Sequence, residues 1–333
     1  MNDTPSLNEK LSVFRTCPAE EIGRLVSNGI PHERLPAQYL QSLSKEDRTV
    51  CFRASMICWT ISGSTMVPRE MQLRVVLANY HGKDTLVAAG TGSGKTLPIA
   101  ISILLDDPAA NTITLTISPL KWLQVTQESD FNTRFGIPTV VINEDTPREA
   151  DWWNVSIDTF LDSTLILCVQ KNVFDTTTHR VGTARHLIVT VEQLFKSSAG
   201  HLRRLGTLIR EHQDFQRRIV RINVDEAHFI RTTGMPLYGN PAFRPAWGKL
   251  DELKAILPDR VCWNAFSATF PPHILKTVTK KILRPDHISI QVSSNRANTV
   301  YATHQVYGSI EDVRNYECFI SEPFDFSKQP HFC

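Results

Sequence analysis

Between Thr85 and Thr96 the chain reads TLVAAGTGSGKT, and this string restricts the fold more than any other part of the sequence. A short apolar run, Thr85 to Ala89, passes into a loop with glycines at Gly90, Gly92 and Gly94. Lys95, Thr96 and the apolar, helix-like segment Leu97 to Leu105 follow. Strand, glycine-rich loop and helix in that order form a phosphate-binding loop. Residues without a Cβ let backbone N–H groups turn inward and surround phosphate oxygens, here at Gly90, Thr91, Gly92, Ser93 and Gly94. The following helix adds the positive end of its dipole. Lys95 supplies a point charge for the β and γ phosphates, and the Thr96 hydroxyl is a ligand for Mg²⁺. Ala89 stands where the strict G-x-x-x-x-G-K-[ST] pattern has its first glycine.

A second acidic strand end completes such a site. Arg218 to Val224 (RIVRINV) runs directly into Asp225-Glu226-Ala227-His228. Adjacent side chains on a strand point in opposite directions. Asp225 is therefore expected to hold the Mg²⁺ shell, and Glu226 to act on the water that attacks the γ-phosphate.

Eight apolar, β-branched runs punctuate the chain from Val67 onward: 85–89, 112–118, 138–142, 165–169, 187–190, 219–224, 261–267 and 288–292. Continuous apolar character suits strands buried on both faces, which predicts a mainly parallel sheet covered by helices. The expected fold is α/β, a RecA-like P-loop domain with a small helical N-terminal segment. The expected divisions are a helical accessory segment at 1–66, the nucleotide-binding domain at 67–301 with an insertion at 145–185, and a linker at 302–333.

Composition excludes little. A formal net charge of +2 over 333 residues gives no global argument for nucleic acid, so any polyanion site must be a local patch. Seven scattered cysteines without a C-x-x-C pair fit reduced, buried thiols. His179, His186, His201 and His212 lack metal-site spacing and are expected in solvent or core. No signal peptide and no run approaching the ~20 apolar residues of a membrane span are visible, so the expected protein is soluble and intracellular, cytoplasmic or nuclear, with the nucleus preferred.

The pair AGTGSGKT and DEAH resembles motifs I and II of superfamily 2 helicases, and Phe266-Ser267-Ala268-Thr269 resembles their motif III. The resemblance implies that His228, Ser267 and Thr269 couple the nucleotide site to the nucleic-acid grip. Four further segments resemble the RecQ-like DNA helicases. These are SPL at Ser118–Leu120 with Leu123 and Gln127, Val189-Thr190-x-Glu192-x-Leu194, FRPAW at Phe243–Trp247, and R-x-x-Q at Arg69 and Gln72. A glutamine amide offers a donor and an acceptor to the adenine edge, so Gln72 is the expected adenine reader, with Arg69 stacked on the ring. Ser118 and Thr190 are expected at the phosphates of a single strand, with Arg244 from the FRPAW segment. Phe229, Tyr238, Phe243 and Trp247 offer π-faces to bases, or fill the core.

The chain departs from that family at Pro68, where an aromatic is usual, at Val191, and in a longer loop at 231–239 without its tryptophan. What the resemblance implies is Mg-ATP hydrolysis coupled to 3′-to-5′ DNA translocation once a second RecA-like domain completes the site. That domain is expected to be missing from the chain. An arginine supplied from outside can be worth about 10³–10⁵ in rate, so the chain alone is expected to bind ATP and Mg²⁺, hydrolyse slowly and not unwind. RNA as substrate, or a nucleotide-dependent adaptor without helicase activity, are the alternatives.

Overall fold

The structure, a computed structural model, describes residues 6–146, 183–197, 200–293 and five isolated positions between 306 and 315. The chain divides into two units, 1–294 and 295–333. In the second, the Asn315 side-chain amide donates to the Ser309 carbonyl at 3.0 Å.

The chain opens with four helices, α1 (Leu7–Thr16), α2 (Ala19–Gly29), α3 (Ala37–Ser42) and α4 (Lys45–Ile61). Two begin at serines for a clear reason. Ser6 and Glu9 form a reciprocal capping box on α1, and the Ser44 hydroxyl accepts from the Asp47 N–H at 3.1 Å on α4. Along α4 the buried residues Cys51, Ala54, Ile57 and Cys58 recur at helical spacing, so one stripe faces inward. That stripe joins α5 (Glu70–Tyr80) and α6 (Thr96–Leu105) in one apolar cluster that includes Ile22, Ile57, Val75 and Ile101.

Among the described residues seven strands follow: β1 (Thr85–Ala88), β2 (Ile113–Ile117), β3 (Thr139–Ile142), β4 (His186–Val189), β5 (Ile219–Val224), β6 (Cys262–Ser267) and β7 (Ile288–Gln291). They form one sheet in the order β3-β4-β2-β5-β6-β1-β7, and every pair is parallel. Seven of the eight apolar runs are thus strands, with ends within a residue or so of the expected ones. The run at 165–169, and most of the stretch at 145–185, lie outside the described residues. After β2 comes helix α7 (Lys121–Ser129). Between β4 and β5 come α8 (Arg204–Glu211) and α9 (Gln213–Arg218), and α10 (Phe229–Thr232), α11 (Leu250–Ile256) and α12 (Pro272–Ile282) come later. Leu208, Phe215, Leu253 and Val278 of this later group cover the opposite sheet face, against Leu86, Leu115, Ile222 and Trp263.

The two faces differ in chemistry. The face toward α8, α9, α11 and α12 is apolar, whereas the face toward α6 carries a row of buried polar side chains. Thr85 Oγ1 donates to Asn264 Oδ1 at 2.7 Å, Asn264 Nδ2 to Asn223 Oδ1 at 2.9 Å, and Asn223 Nδ2 to Thr116 Oγ1 at 3.2 Å. Thr116 Oγ1 lies 2.8 Å from His186 Nε2, and His186 Nδ1 lies 3.4 Å from Thr139 Oγ1, which donates to the Ile137 carbonyl at 2.9 Å. The ends of this row assign the proton of the histidine. Thr139 spends its hydrogen on Ile137, so His186 carries its own on Nδ1, and Nε2 accepts from Thr116. Burial, with Arg221 nearby, pushes the His186 pKa down to about 3, which keeps the ring neutral. Every link therefore donates in the same sense from β1 to β3, across six strands.

Helix α6 is held at its carboxyl end by three arginines. Arg15 Nε donates to Leu104 O at 2.6 Å, Arg185 Nη2 to Ile103 O at 2.8 Å, and Arg221 Nη2 to Ser102 O at 3.3 Å. Arg221 also pairs with Asp106. Cations suit the negative end of a helix, and they leave its amino end free for an anion.

Candidate nucleotide site

In a parallel sheet all carboxyl ends lie on one edge, and β5, β6 and β1 are neighbours there. Loops following these three strands must meet. Backbone bonds carry the strands into the loops: Ala89 N–H donates to Ser267 O at 2.9 Å, and Ala227 N–H to Phe266 O at 2.8 Å. Ala89 is fully buried in the apolar cluster below, so the first loop position is packed rather than open.

The loop itself needs its later glycines. Gly92 and Gly94 have φ of +77° and +80°, a region that disfavours any Cβ. At Gly94 a Cβ would also stand 2.5 Å from Gln72 Nε2. Helix α6 starts at Thr96 with Lys95 as its N-cap and no side-chain cap; Leu97 N–H donates to Gly94 O at 3.2 Å and Pro98 has no N–H, so it is the Thr96 N–H that is left to an anion. The Lys95 ammonium donates to the carbonyls of Ala89 at 3.0 Å and Gly90 at 3.3 Å.

At the end of β5, Glu226 has φ of +48°, a left-handed conformation that costs about 1 kcal/mol or more for a residue of this kind. Its N–H donates to Asp225 Oδ1 at 3.1 Å. His228 Nδ1 lies 3.2 Å from Glu226 Oε2 and 3.0 Å from Ser267 Oγ. Because the Ser267 hydroxyl donates to Thr269 O at 3.0 Å, it accepts from His228, whose proton is shared between serine and glutamate. For Thr269 it is the backbone, not the hydroxyl, that meets Ser267.

Electrostatics tie the two halves together. Burial, reinforced by the Glu226 charge, pushes the Asp225 pKa up to about 6, against the pull of Lys95. The hydrogen bond from His228 holds the Glu226 carboxyl below its usual range, with Lys95 again contributing. Since Lys95 acts on both acids, the loop after β1 and the acids after β5 share one site. The donors fit a hard divalent cation. A hydroxyl at Thr96 and a desolvated carboxylate at Asp225 are oxygen ligands, and a cation would relieve the repulsion between the acids.

Beside the loop opens a cleft of about 510 Å³ lined by Arg69, Gln72, Gly92, Ser93, Gly94 and Thr96 among others. Gln72 is only 4 % exposed, and its amide is committed at both ends. Oε1 accepts from Arg69 N–H at 2.8 Å, while Nε2 donates to Gly94 O at 3.1 Å. In this arrangement it caps α5 and braces the loop. The R-x-x-Q spacing places Gln72 three residues after the N-cap, and that spacing was the sequence signal for a capping role. Arg69 is exposed at the cleft wall.

The nucleic-acid expectations fare unevenly. The hydroxyls of Ser118 and Thr190 are buried and have no hydrogen-bond partner among the described residues, so neither faces a strand outside. Arg244 makes a bidentate pair with Glu192, both bonds 2.8 Å, and also donates to Pro119 O at 3.3 Å. Its charge is matched within the protein. Trp247 is fully buried and meets Phe229 edge-on with centroids 5.7 Å apart. The backbones of Gly234 and Gly248 cross with no room for a Cβ, which draws this tryptophan into the core. Of the proposed aromatic faces, Phe243 (84 % exposed) and Tyr238 (99 %) remain open. Trp122 on α7, 70 % exposed, was not singled out by sequence reasoning.

Among the described residues, no helix is long and apolar enough to cross a membrane. Comparison with known proteins bears on the whole arrangement. The ATP-dependent DNA helicase hus2/rqh1 of Schizosaccharomyces pombe (strain 972 / ATCC 24843) is 26% identical over 236 residues, a match that covers 70% of this chain and 15% of that protein. Among solved structures, a hypothetical ATP-dependent RNA helicase from Sulfolobus tokodaii is similar at 18% identity and TM-score 0.44, covering 71% of this chain and 56% of that one. The DUF1998 helicase MrfA bound to DNA and AMPPNP is similar at 16% identity and TM-score 0.47, covering 73% and 29%. The family described as DEAD/DEAH box helicase matches residues 69–278, from the start of α5 into α12 and across both halves of the site, and the chain belongs to that family.

Proposed function

We propose that this chain is the ATP-binding motor domain of a RecQ-like 3′-to-5′ DNA helicase, coupling Mg-ATP hydrolysis to translocation on single-stranded DNA when a second RecA-like domain completes it. The observation that carries the reading is the shared electrostatic reach of Lys95 over Asp225 and Glu226. In this reading the backbone from Gly90 to Gly94, with Lys95, grips the triphosphate. Thr96 and Asp225 would hold Mg²⁺, which when bound neutralises phosphate charge. Glu226, aimed by its left-handed backbone, orients and deprotonates the attacking water. His228 and Ser267 relay the state of the site toward the loop at Thr269. Arg69 lies against the base. The exposed Phe243 is the first candidate for a stacked nucleotide.

DNA is favoured over RNA by the motif segments and by the DNA helicase relative. The segments Ser118–Leu120, Val189–Leu194 and Phe243–Trp247 are joined through Arg244, which pairs with Glu192 and reaches Pro119. The chain is proposed to comprise a helical segment at 1–66, the motor domain at 67–301 with an insertion at 145–185, and a connection at 302–333 toward the second domain. A nuclear location accompanies the DNA reading.

A second reading has an observation of its own. With Ser118, Thr190 and Trp247 buried and Arg244 paired with Glu192, four of the five residues expected at a strand are withdrawn from it, and Phe243 alone of the five stays open. A nucleotide-dependent adaptor would look the same. ATP hydrolysis measured with and without single-stranded DNA, and with RNA, separates the readings. A motor responds to DNA more than to RNA, whereas an adaptor responds to neither.

A further inference from the structure

The helical segment ahead of the matched family region holds a pocket of its own. It has a volume of about 280 Å³ and opens between α2, α3 and α4 and the connection that joins α2 to α3. Buried Val26, Ile30 and Leu40, with half-buried Phe52, give it an apolar lining. The connection is stiff. It runs from Pro31 to Pro36 around one 3₁₀ turn at His32–Arg34, and both prolines have a fixed φ and no N–H to give. A pocket walled in this way is formed before any ligand arrives.

Its polar lining has one sign. Arg48 and His32 contribute to it, and no carboxylate among the described residues does. Arg48 is fixed by backbone carbonyls at the end of α3. Nε donates to Leu40 O at 2.9 Å, and Nη2 to Leu43 O at 3.0 Å and Gln41 O at 3.4 Å. Nη1 has no hydrogen-bond partner among the described residues, and the guanidinium makes no ion pair among them. A guanidinium already held along one edge gives up little freedom when it donates from the other.

Size narrows the ligand. Pockets for small molecules begin at about 300 Å³, whereas an amphipathic helix needs a groove that takes anchors from several turns. We propose that this pocket binds a small organic acid, its carboxylate accepting from Nη1 of Arg48 with His32 beside it, and its aryl or short alkyl body lying among Val26, Ile30, Leu40 and Phe52. The site is separate from the nucleotide cleft and uses no residue of the family-matched region.

The test is calorimetric titration of the full chain with 3-phenylpropionate, with 3-phenylpropanamide, which keeps the body and loses the charge, and with 3-phenylpropylamine, which inverts it. The acid is expected to bind at about 1 mM or tighter and the amide about tenfold more weakly, as loss of a charge-assisted hydrogen bond implies, with no heat from the amine. Ser27→Trp, at an exposed position of α2 that lines the pocket, should abolish acid binding and leave the melting temperature and Mg-ATP affinity unchanged. Gln41→Glu adds a carboxylate to the lining, again at an exposed position, and should weaken the acid about tenfold while sparing the amide. An acid that binds equally well to Ser27→Trp and Gln41→Glu sits elsewhere, on the phosphate loop for instance, and overturns the proposal. An amide or amine that binds as tightly as the acid overturns it too, since the pocket would then be an apolar cavity only. So does the absence of saturable acid binding up to about 10 mM.

Discussion

Asn223 sits in the middle of the polar row that crosses the sheet, and replacement by leucine removes both of its links while keeping a similar volume. The substitution leaves Asn264 Nδ2 without its acceptor and Thr116 Oγ1 without its donor, in a region with almost no solvent access. An orphaned buried group costs about 1–3 kcal/mol. Two orphans put the loss near about 3 kcal/mol, or about 5–10 °C in melting temperature. Thr85→Val is the comparison. It lies at the end of the row, where only Asn264 Oδ1 loses a donor, and should cost about 1 kcal/mol. Asn264→Leu alone orphans the Thr85 hydroxyl and Asn223 Oδ1, so combining it with Asn223→Leu removes two of the four orphans of the single variants, and the pair should be less damaging than the sum by about 3 kcal/mol. Urea titration of the unaltered chain, the three single variants and the pair measures all of this. Equal losses for Asn223→Leu and Thr85→Val, with strict additivity in the pair, would refute the claim that the row acts as connected hydrogen bonds rather than as filler.

Three more outcomes are expected. Lys95→Ala should abolish Mg-ATP binding, while Glu226→Gln keeps binding and stops turnover; normal hydrolysis by the glutamine variant would remove Glu226 from its role. Because the Asp225 pKa is raised from 3.8 to about 6, its ionised form is disfavoured in the fold, so stability falls as pH rises between those values and stays low above them. Asp225→Asn should therefore stabilise the chain at pH 8 and not at pH 3.5 in thermal melts, and Mg-ATP affinity of the unaltered chain should weaken as pH drops through about 6. Asp84, fully buried, accepts from Trp263 N–H at 2.8 Å and from Arg284 N–H and Nη2 at 2.7 and 2.6 Å, so Asp84→Ala should cost about 3–5 kcal/mol in a urea titration.

Strands were legible because a parallel strand buried on both faces leaves an unbroken apolar run, as in Ile113–Ile117, where all five residues are buried. The loop at Gly90–Lys95 and the acids at Asp225 and Glu226 were legible because phosphate and metal chemistry tolerate few alternatives. Contacts made by partners distant in sequence were not. Nothing near Trp247 announces that Gly234 and Gly248 will cross and pull it inward. Thr116, Asn223 and Asn264 look like interruptions in apolar strands until their neighbours are known. The residues Asp130–Arg134 after α7 form one turn of π-helix with no strong local signature, since it differs from a continued α-helix only by one residue in the closing bond.

The grip of Arg15 on the end of α6 bears on how the chain may be shortened. Cutting before Val67, where the motifs begin, would take away Ile22, Val26 and Ile57 from beneath α5 and α6 and would strip one guanidinium from the helix that carries the phosphate loop. The fragment left behind would keep every signature residue yet display a wide greasy flank, and it should clump or soften before any question about nucleotide could be put to it. For this chain the smallest working piece is set by what the phosphate helix leans on, not by where the recognisable letters start.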